Sequence, residues 1–261
     1  MKRTILNFLL FFAVFLTVPA TGTQPTGQQT TVAKQYRYKI EEVLPHNTGS
    51  YTQGFFFHQG FFYESTGQYG SSMMAKVEVQ SGRILTTHAL DRKYFGEGAC
   101  FHNGLIYQLT WTEKTCFVYD AATLNLLGTQ RYNREGWGLT TNGTDLIMSD
   151  GTSTLYFLDP DTLLDRRSLP VTKNGKPVDN LNELEYIDGS VWANIYLSNE
   201  IVIINPTTGH VTGTVDLSGI LPITLRTRTT DVLNGIAYDP ETKSIWITGK
   251  YWPRVYKISL Q

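Results

Sequence analysis

The sequence predicts an all-β chain folded as a five-bladed β-propeller and closed by an N-terminal strand. Three observations lead there. One pattern occurs five times: a glycine, a short apolar run, a tight polar turn and a second apolar run. Successive repeats lie roughly 40 to 54 residues apart, the length that one four-stranded blade needs. Composition agrees, because 23 glycines with 13% aromatic and 17% charged residues suit a turn-rich globular β protein and not a disordered chain. A net charge of −1 without a long basic run argues against nucleic acid as a partner.

At the N-terminus, Lys2 and Arg3 precede an apolar run from Ile5 to Val18, and Val18, Pro19 and Ala20 offer small residues for cleavage. Residues 1–20 therefore read as a secretory signal. The run is short for a bilayer span, and no cysteine follows it for lipidation. The expectation is export to the periplasm or out of the cell, with no membrane attachment in the mature form. Residues 21–34, rich in Thr, Gln, Gly and Pro, read as a flexible linker. Residues 35–261 make up the propeller, expected as a monomer.

Within each repeat the first two runs form a hairpin. His58-Gln59-Gly60, His102-Asn103-Gly104, Asn142-Gly143 and Asp188-Gly189 mark its turns, and a longer turn, Asp239 to Lys243, serves the fifth. A third strand follows each time, as in Phe117-Val118-Tyr119-Asp120 and Ile201-Val202-Ile203-Ile204. A turn such as Asp159-Pro160-Asp161-Thr162 then leads to a fourth. The last repeat lacks its fourth strand, and the strand-like segment Tyr36 to Val43 is expected to supply it, hiding the exposed edge.

Cys100 and Cys116 fall two strands apart in one blade, about 9–10 Å, which is beyond disulfide reach. Both read as small apolar core residues. Neither has a second Cys or His at metal-ligand spacing, and His46, His58, His88, His102 and His210 fall mainly in turns or linkers. No catalytic metal is implied.

Aligning the repeats on the residue just before the innermost strand gives Gln53, Glu97, Trp137, Asn182 and Asn234. Aligning the ends of the second strands gives Gly67, Trp111, Gly151, Tyr196 and Lys250. The two strands are antiparallel, so both sets surround one mouth of the central channel. An apolar wall with a few convergent polar groups is the usual form of a small-ligand site. Glu97, flanked by glycines with Lys250 as its one nearby cation, is the candidate acid/base group. Glu64, further inside its strand, is expected to be structural and bonded to hydroxyls or backbone.

Eight segments carry a resemblance. They include Tyr51-Thr52-Gln53-Gly54, Phe95-Gly96-Glu97-Gly98, Gly136-Trp137-Gly138-Leu139, Leu181-Asn182-Glu183-Leu184-Glu185-Tyr186 and Thr248-Gly249-Lys250-Tyr251-Trp252-Pro253. Together, from Tyr36 to Ile258, the chain resembles the glutaminyl-peptide cyclotransferases of the plant and bacterial type. The resemblance implies a five-bladed propeller that converts N-terminal glutamine of peptides and proteins to pyroglutamate with release of ammonia. It assigns acid/base work to Glu97, catalytic support to Lys250 and Asn182, and substrate binding to Gln53, Phe95, Trp111 and Trp137. Tyr196 joins these at a position where relatives carry Trp, and Tyr51 stands where some relatives have Phe. No cofactor is expected to be required for catalysis, and a structural cation in the channel is left open.

Three rings as a mould, Glu97 as proton carrier, and Lys250 with the Gln53 and Asn182 carboxamides at the oxyanion would together suit that reaction. The rival readings are a peptide- or sugar-binding propeller without activity and a propeller lactonase. A scaffold would place its diversity on outer loops, and a lactonase would converge several carboxylates.

Overall fold

The computed structural model describes residues 32–261. The proposed signal and most of the linker, through residue 31, lie outside the described residues. Lys34, assigned to the linker, is instead in strand β1 (Lys34–Tyr36), and β2 (Tyr38–Pro45) follows.

Five sheets account for the repeats. Blade one holds β3 (Thr52–His58), β4 (Phe61–Thr66), β5 (Met73–Glu78) and β6 (Ile84–Ala89). Blade two holds β7 (Gly96–His102), β8 (Leu105–Thr110), β9 (Thr115–Asp120) and β10 (Leu126–Arg131). Blade three holds β11 (Leu139–Thr141), β12 (Leu146–Met148), β13 (Thr154–Leu158) and β14 (Asp165–Pro170). A small hairpin, β15 (Thr172–Lys173) with β16 (Lys176–Pro177), precedes blade four. That blade comprises β17 (Leu181–Ile187), β18 (Ser190–Ile195), β19 (Glu200–Ile204) and β20 (Val211–Asp216). Blade five has β21 (Leu233–Asp239), β22 (Ser244–Gly249) and β23 (Arg254–Leu260). Its outer place is taken by β2, antiparallel to β23, while β1 adds in parallel to β20 of blade four.

The first strands of the blades, β3, β7, β11, β17 and β21, contact one another in a closed ring around the channel. Apolar side chains then fill the five gaps between blades. Phe56, Tyr63 and Ile106 join blades one and two, and Phe55, Phe62 and Trp246 join blades five and one. Each such buried aromatic contributes on the order of 2–3 kcal/mol. Cys100 and Cys116 are free thiols within the core between blades two and three.

The inner strands approach so closely that side chains are excluded at the contacts. A Cβ on Gly138 would stand 1.9 Å from the Asn182 carbonyl oxygen, and one on Gly98 would stand 2.5 Å from the Leu139 nitrogen. Only glycine admits backbone at such distances.

Two carboxylates that the repeat pattern did not single out fasten the channel. Glu183 accepts the backbone N–H groups of Phe55 at 3.2 Å and Ile236 at 2.9 Å, joining β17 to β3 and β21. Glu185 accepts Tyr238 N–H at 3.1 Å and the Thr140 hydroxyl at 3.3 Å. Burial pushes Glu183 well above the usual carboxylate range and Glu185 up to about 8.

Candidate active site

The site begins with a flaw repeated in the pairing of each blade. In β3, Thr52 opposes Thr66 but Gly54 opposes Ser65, which leaves Gln53 as an extra residue. In β7 the residues Glu97 and Gly98 face one position of β8; in β17 it is Asn182 and Glu183, and in β21 Asn234 and Gly235. Blade three does the same just before β11, where Trp137 and Gly138 both bond to the backbone of Ser149. A bulge takes a side chain out of the alternation and re-aims it. The key residues thus occupy the second position of four inner strands, not the residue before them, and precede the strand only in blade three.

A cavity of about 200 Å³ opens there, lined by Tyr51, Gln53, Phe95, Glu97, Trp111, Trp137, Asn182, Tyr196 and Lys250. All eight residues chosen from sequence meet in it, and Tyr51 joins them. The volume is below the roughly 300–1,000 Å³ of drug-sized sites, which suits one amino-acid residue. Asn234, in the same register, lies beneath the cavity: its Nδ2 donates to Thr52 O at 2.9 Å and to Gln53 Oε1 at 3.3 Å. It orients Gln53 and does not face the cavity. Gly67 and Gly151 lie behind the rings; a Cβ would stand 2.3 Å from Phe95 or 2.7 Å from Trp137.

Aromatic rings form the wall. Tyr51 meets Phe95 edge-on at 6.0 Å, Phe95 meets Trp111 at 5.7 Å, and Trp137 meets Tyr196 at 5.6 Å. The Lys250 ammonium closes one side, 4.4 Å above the Tyr51 ring and 5.2 Å above that of Tyr196. Cation–π attraction of this kind strengthens when the charge is desolvated. Glu113, absent from the sequence reading, accepts the Tyr69 hydroxyl at 2.9 Å and the Phe95 N–H at 3.3 Å, fixing Phe95 from outside.

Glu97 is 4% exposed and Lys250 2%. Burial raises the Glu97 carboxyl well above the usual range, although Lys250 and the Gln53 amide oppose this. Burial also lowers Lys250 to about 8, with Glu97 and Asp231 pulling the other way. The result is an acid and a base brought toward neutral pH in one pocket, as proton transfer requires. Glu97 is placed by a chain of bonds: the Tyr119 hydroxyl donates to Gln108 at 2.6 Å, Gln108 to the Ser65 hydroxyl at 2.8 Å, and Ser65 to the Glu97 carbonyl. Among the described residues, the buried Asn182 Oδ1 has no hydrogen-bond partner, an acceptor held at the cavity.

Glu64 is structural, but with a partner the sequence reading missed. It accepts the hydroxyls of Ser50 at 3.0 Å and Thr52 at 2.7 Å, and it pairs with His46 Nε2 at 3.0 Å. His46 is accordingly buried and not in a solvated linker. Burial opposes charge on both, yet their mutual attraction and hydrogen bonds hold Glu64 below and His46 above their ordinary values. Among the described residues, no group of three or more His, Cys, Asp or Glu side chains gathers as a metal site.

The chain as a whole has counterparts among known proteins. The family profile described as glutamine cyclotransferase matches residues 12–260. A glutaminyl-peptide cyclotransferase of Arabidopsis thaliana is 37% identical over 244 residues, covering 90% of this chain and 76% of that protein. The crystal structure of Myxococcus xanthus glutaminyl cyclase superposes with a TM-score of 0.82 at 34% identity, covering 88% of this chain and 98% of its own. With the profile spanning blades and cavity together, the chain belongs to the glutamine cyclotransferase family.

Proposed function

We propose that this protein cyclises the N-terminal glutamine of peptides and proteins to pyroglutamate, releasing ammonia, at the cavity around Glu97. The observation that carries the reading is the buried Glu97 and Lys250 set together in an aromatic cavity of single-residue size. The names of the relatives agree with it. In class terms the reaction is an aminoacyl transfer, in which the acyl carbon exchanges its amide nitrogen for the α-nitrogen.

The rings hold the glutamine folded, so that its α-amine meets its own side-chain carbonyl carbon. Such preorganisation removes several kcal/mol of barrier. Glu97 carboxylate takes a proton from the α-nitrogen as the new C–N bond forms. The carbonyl oxygen becomes an oxyanion, stabilised by the Lys250 ammonium and the Gln53 amide. Glu97 then returns the proton to the departing nitrogen, the old C–N bond breaks, and ammonia and the five-membered lactam leave. The Oδ1 of Asn182, buried without a partner among the described residues, suits a substrate N–H donor better than an oxyanion. All proton, charge and positioning roles fall to side chains in this mechanism.

The pattern of residues 1–20 supports a further reading, that the protein acts after export on exposed N-termini. The test of the function is ammonia release from a glutaminyl dipeptide. Wild type should release it, and Glu97→Gln should lower the rate about 10²–10⁴-fold while keeping the β circular-dichroism spectrum. A Glu97→Gln rate equal to wild type would remove Glu97 from the mechanism. A folded wild type that releases none would favour a binding propeller.

A further inference from the structure

The wall of the cavity is continuous except at one place. Ring contacts run from Tyr51 to Trp111 and from Trp137 to Tyr196, and Lys250 spans the gap between Tyr196 and Tyr51. Between Trp111 of blade two and Trp137 of blade three there is no ring contact among the described residues. Glu135 stands in that gap. Its Oε2 accepts the indole N–H of Trp111 at 2.8 Å and that of Trp137 at 3.3 Å.

The backbone holds Glu135 in place independently of these bonds. Its neighbour Gly136 donates its N–H to the Trp111 carbonyl at 3.1 Å, so the segment is tied to the very residue whose ring the carboxylate holds. A Cβ on Gly136 would stand 2.4 Å from the Tyr132 hydroxyl and 2.8 Å from the Thr110 carbonyl, which keeps this approach close. A bond to a charged acceptor is stronger than a neutral one, and one oxygen serving two donors fixes their relative orientation. Both indoles are only partly buried, so packing alone does not lock them.

We propose that Glu135 is a positioning residue of this site, a carboxylate bridge that sets the distance between the two tryptophans forming the substrate mould. The proposal rests on the cyclase reading for its catalytic consequence, although the bridge itself can be tested without it. Glu135 is not a catalytic residue: it acts on substrate through the rings. Its negative charge also contributes to raising Glu97, which gives a rival explanation for any loss of rate.

Two variants separate bridge from charge. Glu135→Gln keeps a carbonyl oxygen that can accept both indoles and removes the charge; Glu135→Ala removes both. Ammonia release from a glutaminyl dipeptide should fall on the order of tenfold or more in kcat/KM for Glu135→Ala, with kcat sharing the loss. Glu135→Gln should recover most of it. The readout independent of activity is acrylamide quenching of tryptophan fluorescence. Trp192, Trp246 and Trp252 are 4%, 5% and 1% exposed, so the accessible fraction reports Trp111 and Trp137. Quenching should rise in Glu135→Ala and stay near wild type in Glu135→Gln. Unchanged quenching in Glu135→Ala overturns the bridge. A Glu135→Gln enzyme as slow as Glu135→Ala overturns it in favour of charge. If wild type itself releases no ammonia, the cyclase reading fails and quenching alone decides the role of Glu135.

Discussion

Replacing Lys250 with methionine should make the folded protein more stable and its cavity inactive. Burial lowers the Lys250 pKa from an ordinary 10.5 to about 8. At about 1.36 kcal/mol for each pH unit, that gap means the fold disfavours the charged lysine by roughly 3 kcal/mol. With 2% of the residue exposed, solvent screening removes little of this. The sign follows from proton counts. Between about pH 8 and pH 10.5 the unfolded chain holds a proton at Lys250 that the folded chain has released. Stability therefore rises with pH across that window, and Lys250 adds no slope below it. Methionine matches the length, carries no charge and removes this slope. At pH 7 the variant should gain roughly 2–3 kcal/mol, less the amount that Glu97 loses without its cation. Urea unfolding at steps from pH 7 to pH 10.5 measures it, with the advantage over guanidinium that urea does not screen charge. The advantage of the variant over wild type should shrink by roughly 3 kcal/mol through the window. An advantage that stays constant with pH would refute the reasoning. Repeating the pair in a Glu97→Gln background should extend the window to lower pH, because Glu97 holds the lysine pKa up.

Two other perturbations test the frame around the cavity. Gly151 has φ +81° and its missing Cβ would stand 2.7 Å from the Trp137 ring, so Gly151→Ala should cost about 1–2 kcal/mol by urea unfolding and raise KM by displacing the indole. Glu64→Gln leaves His46 buried without its counter-charge and should cost about 3–5 kcal/mol. In wild type the Glu64 contribution is present above its unfolded pKa and lost as pH falls through its lowered folded value. The His46 contribution is present below its unfolded pKa and lost as pH rises through its raised one. Glu64→Gln should flatten both limbs of the stability profile, and a profile unchanged from wild type would sink the ion-pair assignment.

Much of this site was legible because a propeller turns sequence period into spatial convergence. Gln53, Glu97, Trp137 and Asn182 share a register position, and the fold brings that position to one mouth. The bulges were not legible, since a bulge exists only relative to the partner strand: nothing in β7 alone says that Glu97 and Gly98 face a single residue of β8. Asn234 shows the limit of register, because its amide turns toward Thr52 and Gln53 instead of the cavity. Phe95 and Tyr51 lie outside the repeat alignment and are marked only by the family motifs. Glu135 and Glu113 sit in connecting loops without period, and their partners are indoles and backbone from other segments. His46 looked solvated because its partner Glu64 lies across a turn, and Lys34 looked like linker because a three-residue parallel pairing leaves no pattern.

The extra residue in four inner strands has a consequence for how the site tolerates substitution. A side chain that follows strict alternation must satisfy a neighbouring blade, so changing it disturbs the core. Gln53, Glu97 and Asn182 are released from that duty by the bulge and line the cavity, while Gly54 and Gly98 beside two of them keep the blades in contact. A substitution at this mouth is therefore separable, one blade at a time, from the architecture, which the neighbouring glycines and the cores between blades carry.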